Sequence, residues 1–236
     1  MMRIQPCATV GSVSPGMLYW QFMKVSVREK QLSQSDREKW NQRYREGAYA
    51  ERVHPAAFLA EQMPGICALQ EETATQPPRA LDLACGAGRN AFFLAECGYQ
   101  VDAIDVSAEA LARARGSDRA DKKGIQWIEH DLDHGLPPDL PRYDLAIIIR
   151  YLDIDLARLA ACQLRPGGIL VCEAHLITDQ EVAGPRGAAF RARVGQLREA
   201  AEGLELVSYW EGITRDPDDQ PVALARLVAR RPFQGA

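Results

Sequence analysis

The most informative segment of this sequence is Ala80-Leu81-Asp82-Leu83-Ala84-Cys85-Gly86-Ala87-Gly88-Arg89-Asn90. Its mostly apolar start predicts a short buried strand, and Gly86 and Gly88 predict a tight turn directly after that strand. The residues from Ala91 to Cys97 indicate a helix, which Gly98 is placed to end in the left-handed conformation. Together these elements form a ligand cradle, because glycine lets the backbone approach a ligand and the N–H groups of a helix start attract polar or anionic groups.

Two classes of ligand are compatible with this turn. The segment 86–91 matches the dinucleotide pattern G-x-G-x-x-A, and Asp105 lies at a suitable distance downstream to bind a ribose. Asp82 favours a different ligand. A carboxylate at this position would attract the ammonium of an amino-acid ligand, whereas it would not stabilise the negative charge of a pyrophosphate. S-adenosylmethionine carries such an ammonium together with an adenosine, and it has no phosphate.

The composition is that of an ordinary globular protein. The 236 residues include 47% hydrophobic and 25% charged residues, and the net charge is -4. This length predicts one large domain with appendages, and the slightly acidic balance gives no support for a nucleic-acid or anionic-membrane partner. No apolar run reaches the length of a membrane span, and no signal peptide is recognisable at the N-terminus.

The six cysteines are scattered, without a C-x-x-C pair. We expect Cys85, Cys162 and Cys172 to be small buried thiols, since they lie among apolar residues. A cytoplasmic location is therefore predicted.

Two segments precede the main domain. Residues 1–32 show no clear period, so we interpret them as an N-terminal extension, with disorder as one reading. Residues 33–78 are interpreted as a helical lid and linker. The spacing of Ser35 and Glu38 is that of a capping box, which predicts a helix to about residue 46. A second helix is expected from Pro55 to about Gln62, followed by a linker that starts at Pro64.

The first of these helices has two large apolar residues on one face, Trp40 and Tyr44, with Arg43 beside them. Such a face is compatible with loose packing on the main domain. It is equally compatible with a lid whose aromatic rings contact adenosine or substrate, and the pattern alone does not decide between the two.

Strands and helices alternate through the rest of the chain. Further strands are predicted at 101–105, 125–129, 145–149 and 169–173, and helices at 108–115, capped by Ser107, and at 156–164. A helix at about 190–201 and a hairpin of residues 205–211 and 222–229 follow. The alternation predicts one α/β domain over residues 79–236, with a doubly wound, mostly parallel sheet and an antiparallel C-terminal hairpin.

In an open α/β sheet, ligands bind beyond the carboxyl ends of the strands. The residues predicted there are Asp82, Asp105, Asp131, Arg150, Tyr151 and Glu173, and they should converge. Asp105 would accept hydrogen bonds from both ribose hydroxyls, and Asp131 would accept one from the adenine amino group, with Leu132 near the ring. The competing interpretation makes Asp105 a residue that merely precedes a helix cap and Asp131 a solvated loop residue. Three carboxylates at the expected strand ends favour the ligand site.

Other candidates are less specific. His130, Asp131, Asp133 and His134 are close in sequence, but no ligand set with a recognised spacing accompanies them, so we predict no metal site. His175 is a candidate general base or an uninvolved loop residue. Arg150 would bind an anionic acceptor, or form a salt bridge to Glu173 or Asp153.

From Trp40 to about Glu173, the chain resembles the class I S-adenosylmethionine-dependent methyltransferase family, and within it the small bacterial branch related to tellurite-resistance and thiopurine methyltransferases. The resemblance is carried by the segments 40–44, 82–90, 131–132, 150–152 and 165–168 and by the acidic strand end Asp105. It implies a Rossmann-like sheet of seven strands and S-adenosyl-L-methionine as the cofactor.

The resemblance also implies functional residues. The cofactor-binding set consists of Trp40, Arg43, Asp82, Ala84, Gly86, Gly88, Asn90, Asp105, Val106, Asp131, Leu132 and Arg150, and the catalytic candidates are Tyr151 and His175. The chain departs from the family at Ala84, where the motif has a glycine. It departs again at 173–175, where near relatives have an acidic-Thr-Phe segment, and at 178–187, where an Asn-Pro signature is missing.

The expected function is methyl transfer to a small-molecule acceptor by direct displacement. A thiol or a chalcogen oxyanion needs little help from a base, whereas an oxygen or nitrogen acceptor would need one, with His175 or Tyr151 as candidates. The alternatives are an NAD(P)-dependent oxidoreductase, which leaves Asp82 unexplained and lacks a Tyr-x-x-x-Lys pair, and a non-catalytic protein that binds the same cofactor. No nucleic-acid or membrane partner is expected, and the oligomeric state is left open.

Overall fold

The computed structural model of this protein describes residues 33–70, 77–119 and 124–233. Its helices are α1 (Ser33–Arg45), α2 (Ala57–Gln70), α3 (Arg89–Glu96), α4 (Ala108–Arg115) and α5 (Ile154–Gln163). Its strands are β1 (Arg79–Leu83), β2 (Gln100–Asp105), β3 (Ile125–Glu129), β4 (Tyr143–Ile149), β5 (Leu164–His175), β6 (Glu205–Arg215) and β7 (Pro221–Arg230).

The seven strands form one sheet in the order β3-β2-β1-β4-β5-β7-β6. The five strands from β1 to β5 are parallel, whereas β7 lies antiparallel between β5 and β6. The prediction of a doubly wound, mostly parallel sheet with an antiparallel C-terminal hairpin is therefore confirmed. Because β1 and β4 are adjacent at the centre, their carboxyl ends form the crevice where ligands bind in open α/β sheets.

Two apolar cores cover the two faces of the sheet. One contains residues of α2, α3 and α4, and the other contains residues of α5 and of the short 3-10 helix Gln196–Ala201. Strand β4 belongs to both cores, since every one of its seven residues is buried. Its uniformly apolar segment 145–149 is thus explained by helices on both faces.

Helix α2 is longer than the sequence pattern indicates. It continues through Pro64 to Gln70, although proline usually disfavours a helix interior. Its last turn is held in the core by Gln70, which donates a hydrogen bond to Asp144 O at 2.5 Å and accepts one from Tyr99 Oη at 2.6 Å. These contacts, together with the buried Met63 and Ile66, outweigh the local preference.

Two other boundaries were predicted incorrectly. The segment 165–168, expected to be a turn before the fifth strand, lies within β5, where an irregularity shifts the pairing with β4. The helix expected at 190–201 is replaced by two 3-10 helices, Ala188–Phe190 and Gln196–Ala201. Between them, Ala192 forms a bridge with Leu176 and Gly195 has a φ of 79°, so an α-helix cannot pass through this segment.

The predictions for residues 1–32, and for the linker residues 71–76, lie outside the described residues. Among the cysteines that are described, Cys85 and Cys172 are buried as expected, but Cys162 is partly exposed. None of the helices in the described ranges combines the length and the apolar character that a membrane span requires.

Candidate functional site

The glycine turn lies between β1 and α3, as predicted. Ala84, Gly86 and Gly88 have φ values of 56°, 57° and 81°, in the left-handed region that favours glycine. A Cβ atom at Gly86 would overlap the hydroxyl oxygen of Tyr44, and one at Gly88 would overlap the ring of Trp127. A larger residue at Gly86 or Gly88 would therefore collide with an aromatic side chain of this protein. Ala84 adopts a backbone conformation that a glycine would adopt more easily.

Asp82 lies in β1 with only 1% of its surface exposed. One oxygen of its carboxylate accepts a hydrogen bond from the backbone N–H of Ala91 in α3. The other oxygen, Oδ2, is buried and has no hydrogen-bond partner. Burial, reinforced by the nearby Asp105, raises the pKa of Asp82 to about 8. A buried carboxylate with an unused oxygen fits a ligand that carries a positive charge.

Asp105 ends β2 on the other side of the glycine turn. Its Oδ2 accepts a hydrogen bond from Gly86 N at 2.7 Å, and its Oδ1 accepts one from Ser107 N at 2.9 Å. The backbone N–H of Val106 also points to this carboxylate. Burial raises the pKa of Asp105, and the three backbone donors oppose this shift. The carboxylate is thus fixed in position, and its remaining lone pairs can accept further hydrogen bonds.

Asp131 follows β3 and caps the short 3-10 helix Leu132–His134. Its Oδ1 accepts a hydrogen bond from Asp133 N at 3.0 Å. Its Oδ2 is buried without a hydrogen-bond partner, although His134 Nδ1 lies 3.5 Å away. Leu132 is buried in the adjoining core.

Helix α1 lies against the N-terminus of α4. The buried Asn41 accepts hydrogen bonds through Oδ1 from Ser107 Oγ at 2.8 Å and from Glu109 N at 3.3 Å. Arg113 of α4 donates to the carbonyl oxygens of Tyr44 and Ala48, and its guanidinium lies 5.1 Å from the centre of the Tyr44 ring. These contacts place Tyr44 over the glycine turn.

Trp40 and Arg43 lie on a more exposed part of α1. The Arg43 guanidinium is stacked 4.9 Å from the centre of the Trp40 ring and 5.8 Å from that of Tyr49. The two residues are therefore in contact with each other.

The ends of β4 and β5 are joined by a chain of ion pairs. Arg150 Nε lies 2.5 Å from Glu173 Oε1, and Arg150 Nη2 lies 2.6 Å from Asp216 Oδ1 in the turn between β6 and β7. The second oxygen of Glu173 pairs with Arg226 Nε at 2.9 Å. Burial alone would lower the pKa of Arg150, but Glu173 and Asp216 together raise it. Of the two interpretations of Arg150, the salt bridge to Glu173 is the one that the structure contains.

His175 lies at the end of β5, with Gly184 against its ring and its Nδ1 buried without a hydrogen-bond partner. Burial, together with the positive charges of Arg150 and Arg191, lowers the pKa of His175 to about 4. Tyr151 donates a long hydrogen bond of 3.4 Å to Asp133 Oδ1, and burial followed by the charge of Asp133 raises its pKa. At neutral pH, His175 is an uncharged imidazole and Tyr151 a protonated phenol.

Asn90 is buried at the start of α3. Its Oδ1 accepts a hydrogen bond from Ala56 N at 2.9 Å, so its side chain anchors the chain before α2. Within the described ranges, no three His, Cys, Asp or Glu side chains are arranged to hold a metal ion.

The sequence interpretation missed four residues at this edge of the sheet. Tyr44 was noted only as an aromatic residue of a helix, and Arg89 only as part of the motif. Asp216 and Arg226 join the site from positions 66 and 53 residues away from their partners. No local pattern identifies such long-range partners.

The residues at this edge fit S-adenosylmethionine. Asp82 offers an unpartnered buried oxygen to an ammonium, and Asp105 and Asp131 offer acceptor oxygens to the hydroxyl and amino groups of an adenosine. The sheet order distinguishes the fold from the dinucleotide-binding fold, whose common order is 3-2-1-4-5-6 without an antiparallel strand inserted beside strand five.

A family model described as "Methyltransferase domain" matches residues 80–168, the segment that runs from β1 into β5. The segment 80–168 is therefore similar to methyltransferase domains.

Solved structures with a similar fold include TehB from Haemophilus influenzae, with a TM-score of 0.57 and 20% identity over 71% of this chain and 62% of that one. N-methyltransferase NodS from Bradyrhizobium japonicum WM9, solved in complex with S-adenosyl-L-homocysteine, has a TM-score of 0.56 and 21% identity over 82% of this chain and 98% of that one. At these identities the likeness concerns the fold.

One curated relative is "Hemagglutinin 1" from Eikenella corrodens, which is 26% identical over 178 residues. The match covers 70% of this chain and 59% of that protein. The chain thus spans less than two thirds of the length of this relative and of TehB.

Proposed function

We propose that this protein transfers a methyl group from S-adenosylmethionine to a small-molecule acceptor by direct displacement. The observation that carries the proposal is the buried, unpartnered Oδ2 of Asp82 next to the fixed carboxylate of Asp105. S-adenosylmethionine, when bound, supplies an electrophilic methyl group on a sulfonium. The residues of the chain bind and orient the two reactants and exclude water between them.

The geometry supports the following proposed cofactor contacts. Asp82 accepts hydrogen bonds from the ammonium, Asp105 from the ribose hydroxyls, and Asp131 from the adenine amino group, with Leu132 beside the ring. Gly86 and Gly88 hold the turn in the conformation that brings Asp105 to Gly86 N. Six further residues keep a proposed role in binding the cofactor: Trp40, Arg43, Ala84, Asn90, Val106 and Arg150. For two of them, a cofactor contact would compete with an existing one, since Asn90 accepts a hydrogen bond from Ala56 N and Arg150 pairs with Glu173 and Asp216.

The acceptor is proposed to be a small anionic or polar molecule that attacks without prior removal of a proton. His175 is uncharged at neutral pH and, with a pKa near 4, is a weak base for an alcohol or an amine. Its Nδ1 is proposed to hydrogen-bond the acceptor, and Tyr151 to donate a hydrogen bond rather than to accept a proton. Thiols, chalcogen oxyanions and carboxylates are compatible with this arrangement.

No membrane or nucleic-acid partner is proposed, and the proposed location is the cytoplasm. The net charge of -4 gives no general attraction to nucleic acids, and the described helices include no membrane span.

A screen of small acceptors tests the proposal. Purified protein is incubated with S-adenosylmethionine and single thiols, chalcogen oxyanions or carboxylates, and the release of S-adenosylhomocysteine is measured. Turnover with a small acceptor is expected, and it should fall in the Asp105→Asn variant. Turnover only with RNA, DNA or a protein would contradict the acceptor class, whereas cofactor binding without any turnover would favour a non-catalytic binding protein.

A further inference from the structure

Strand β6 forms one edge of the sheet and has a neighbouring strand on one side only. It pairs with β7, and no other strand of the described chain pairs with it. Its outer row of backbone N–H and C=O groups is therefore open to a further strand. The strand contains neither proline nor lysine, the residues that commonly protect such an edge, and its one irregularity lies between Leu206 and Ser208.

The same strand carries a concentration of exposed apolar side chains. Four large ones are between 40% and 45% exposed: Leu206, Val207, Trp210 and Ile213. Within the described residues, none of the other strands has an exposed large apolar side chain. A single exposed apolar residue is ordinary, whereas several on one strand form a patch of the kind that marks a contact between proteins.

Trp210 is held in place before any partner binds. Its ring lies against Gly212, where an added Cβ atom would come within 2.8 Å of it. The Arg226 guanidinium lies 5.3 Å from the centre of the Trp210 ring and 5.1 Å from that of the Phe58 ring. A side chain that is already fixed loses little freedom on binding, and tryptophan is enriched at the energetically dominant positions of interfaces. Trp210 therefore fits the centre of a contact surface.

We propose that β6 is a dimerisation surface, on which two copies of this chain pair their β6 strands antiparallel with Trp210 at the two-fold axis. The inference goes beyond the proposed function and is independent of it. This pairing gives the outer backbone groups of each β6 a partner and joins the two sheets into one. A two-fold axis brings the same surface of both copies together, so β6 has to be complementary to itself.

The apolar side chains meet this requirement. The β7 partners of Leu206 and Ile213 lie three residues on either side of the β7 partner of Trp210, because Val207 is left out of the pairing. Both of these partners belong to one apolar core, so Leu206 and Ile213 are on the same face of the sheet. With Trp210 at the axis, Leu206 of each copy therefore lies opposite Ile213 of the other, and exposed apolar side chains cover one another.

The charges of β6 favour the antiparallel direction. Glu205 begins the strand and Arg215 ends it, so antiparallel pairing brings Glu205 of one copy and Arg215 of the other to the same end. Parallel pairing would bring like charges together instead. The third charged residue, Glu211, is engaged within its own chain, where it accepts hydrogen bonds from Gly195 N at 2.8 Å and from Tyr209 Oη.

Analytical ultracentrifugation of the purified full-length protein at a series of concentrations tests the inference. The wild type should form a dimer of twice the chain mass of 26.2 kDa, with no larger species. The measurement needs neither cofactor nor acceptor, so a failure here leaves the proposed function untouched. Thermal melting checks that each variant is folded. Val53→Lys, a change at an exposed apolar residue outside β6, is the matched control and should leave the dimer intact.

A charge swap tests the register. Leu206→Lys and Ile213→Glu should each raise the dissociation constant of the dimer at least about tenfold, because each places a charge against an apolar side chain. The double variant should recover most of this loss, since the two new charges face each other across the axis. Within one chain these positions are about 20 Å apart along the strand, so recovery cannot come from a contact inside one copy. Trp210→Ser, which adds no charge, should also weaken the dimer and serves as the test if a charged variant does not fold.

Three results overturn the inference. The first is a wild-type protein that is monomeric at every concentration, or that forms only larger species that grow with concentration. The second is a dimer that the substitutions in β6 leave unchanged or that Val53→Lys weakens equally. The third is a double variant that dimerises no better than the single variants, which would contradict the antiparallel pairing about Trp210.

Discussion

At the scale of single residues, the site depends on carboxylates that the fold holds in unfavourable surroundings. Asp82 is the clearest case, because burial and the nearby Asp105 raise its pKa to about 8. Between about pH 4 and pH 8 the folded protein therefore holds a proton on Asp82 that the unfolded chain releases. The free energy of unfolding of the ligand-free protein should therefore fall as the pH rises through this range, because Asp82 then has to ionise in its buried position.

The same protonation makes cofactor binding dependent on pH. The ammonium binds the ionised form of Asp82, so the affinity for S-adenosylhomocysteine should rise with pH, by up to about tenfold per pH unit, and level off above about pH 8. Calorimetry at about pH 6.5 in two buffers of different ionisation enthalpy should detect the release of about one proton on binding. Asp82→Asn should abolish this release. A release that persists in that variant would place the titrating group elsewhere.

Asp105 should contribute to binding through its charge. Asp105→Asn keeps one oxygen, which can accept from only one of the backbone N–H groups of Gly86 and Ser107, and it removes the negative charge that would accept the ribose hydroxyls. We expect affinity for S-adenosylhomocysteine to fall by about 1.5–3 kcal/mol, the range for hydrogen bonds to a charged group. Ser107→Ala, which removes the cap of α4, is the control for a merely local disturbance. Equal losses in both variants would argue against a direct ribose contact.

At the scale of elements, the sequence predicted well whatever depends on neighbouring residues. The strand and glycine turn at 80–88, the Ser107 cap and the left-handed Gly98 depend on local conformational preferences, and the structure contains all of them. The length of α2 was not predictable in this way, because Gln70 is held by partners 29 and 74 residues further along the chain. The ion pair from Arg150 to Asp216 likewise depends on where the turn after β6 comes to lie.

Helix α1 gives a testable prediction of its own. In this helix Asn41 and Tyr44 are buried against α4 and the glycine turn, while the residues around them are largely exposed. We expect amide hydrogen exchange in residues 36–46 to be fast in the free protein and slower with S-adenosylhomocysteine, since a helix with little buried surface opens easily. The segment 154–163 of α5, on the other face of the sheet, should not change. Equal protection of α1 in both states would indicate a fixed element.

At the scale of the whole molecule, Glu173 connects the parallel and antiparallel parts of the sheet. It is 1% exposed, and it pairs with Arg150 after β4 and with Arg226 on β7. Glu173→Gln would leave both guanidinium groups without their common counter-charge. We expect the free energy of unfolding in urea to fall by about 3–5 kcal/mol, the usual cost of breaking a buried pair.

An exposed ion pair of the same hairpin provides the control for this variant. Glu205 pairs with Arg230 at 2.7 Å near the surface, and Glu205→Gln should change stability by less than about 1 kcal/mol. Similar effects in the two variants would show that the buried chain of ion pairs contributes no more than a surface pair.

We infer that the site formed by the glycine turn, Asp82 and Asp105 binds S-adenosylmethionine rather than a dinucleotide. Titration calorimetry of the purified protein with S-adenosylhomocysteine and, separately, with NADH distinguishes the two ligands. We expect saturable binding of S-adenosylhomocysteine that weakens in Asp105→Asn, and no binding of NADH. Saturable binding of NADH, with none of S-adenosylhomocysteine, would contradict it.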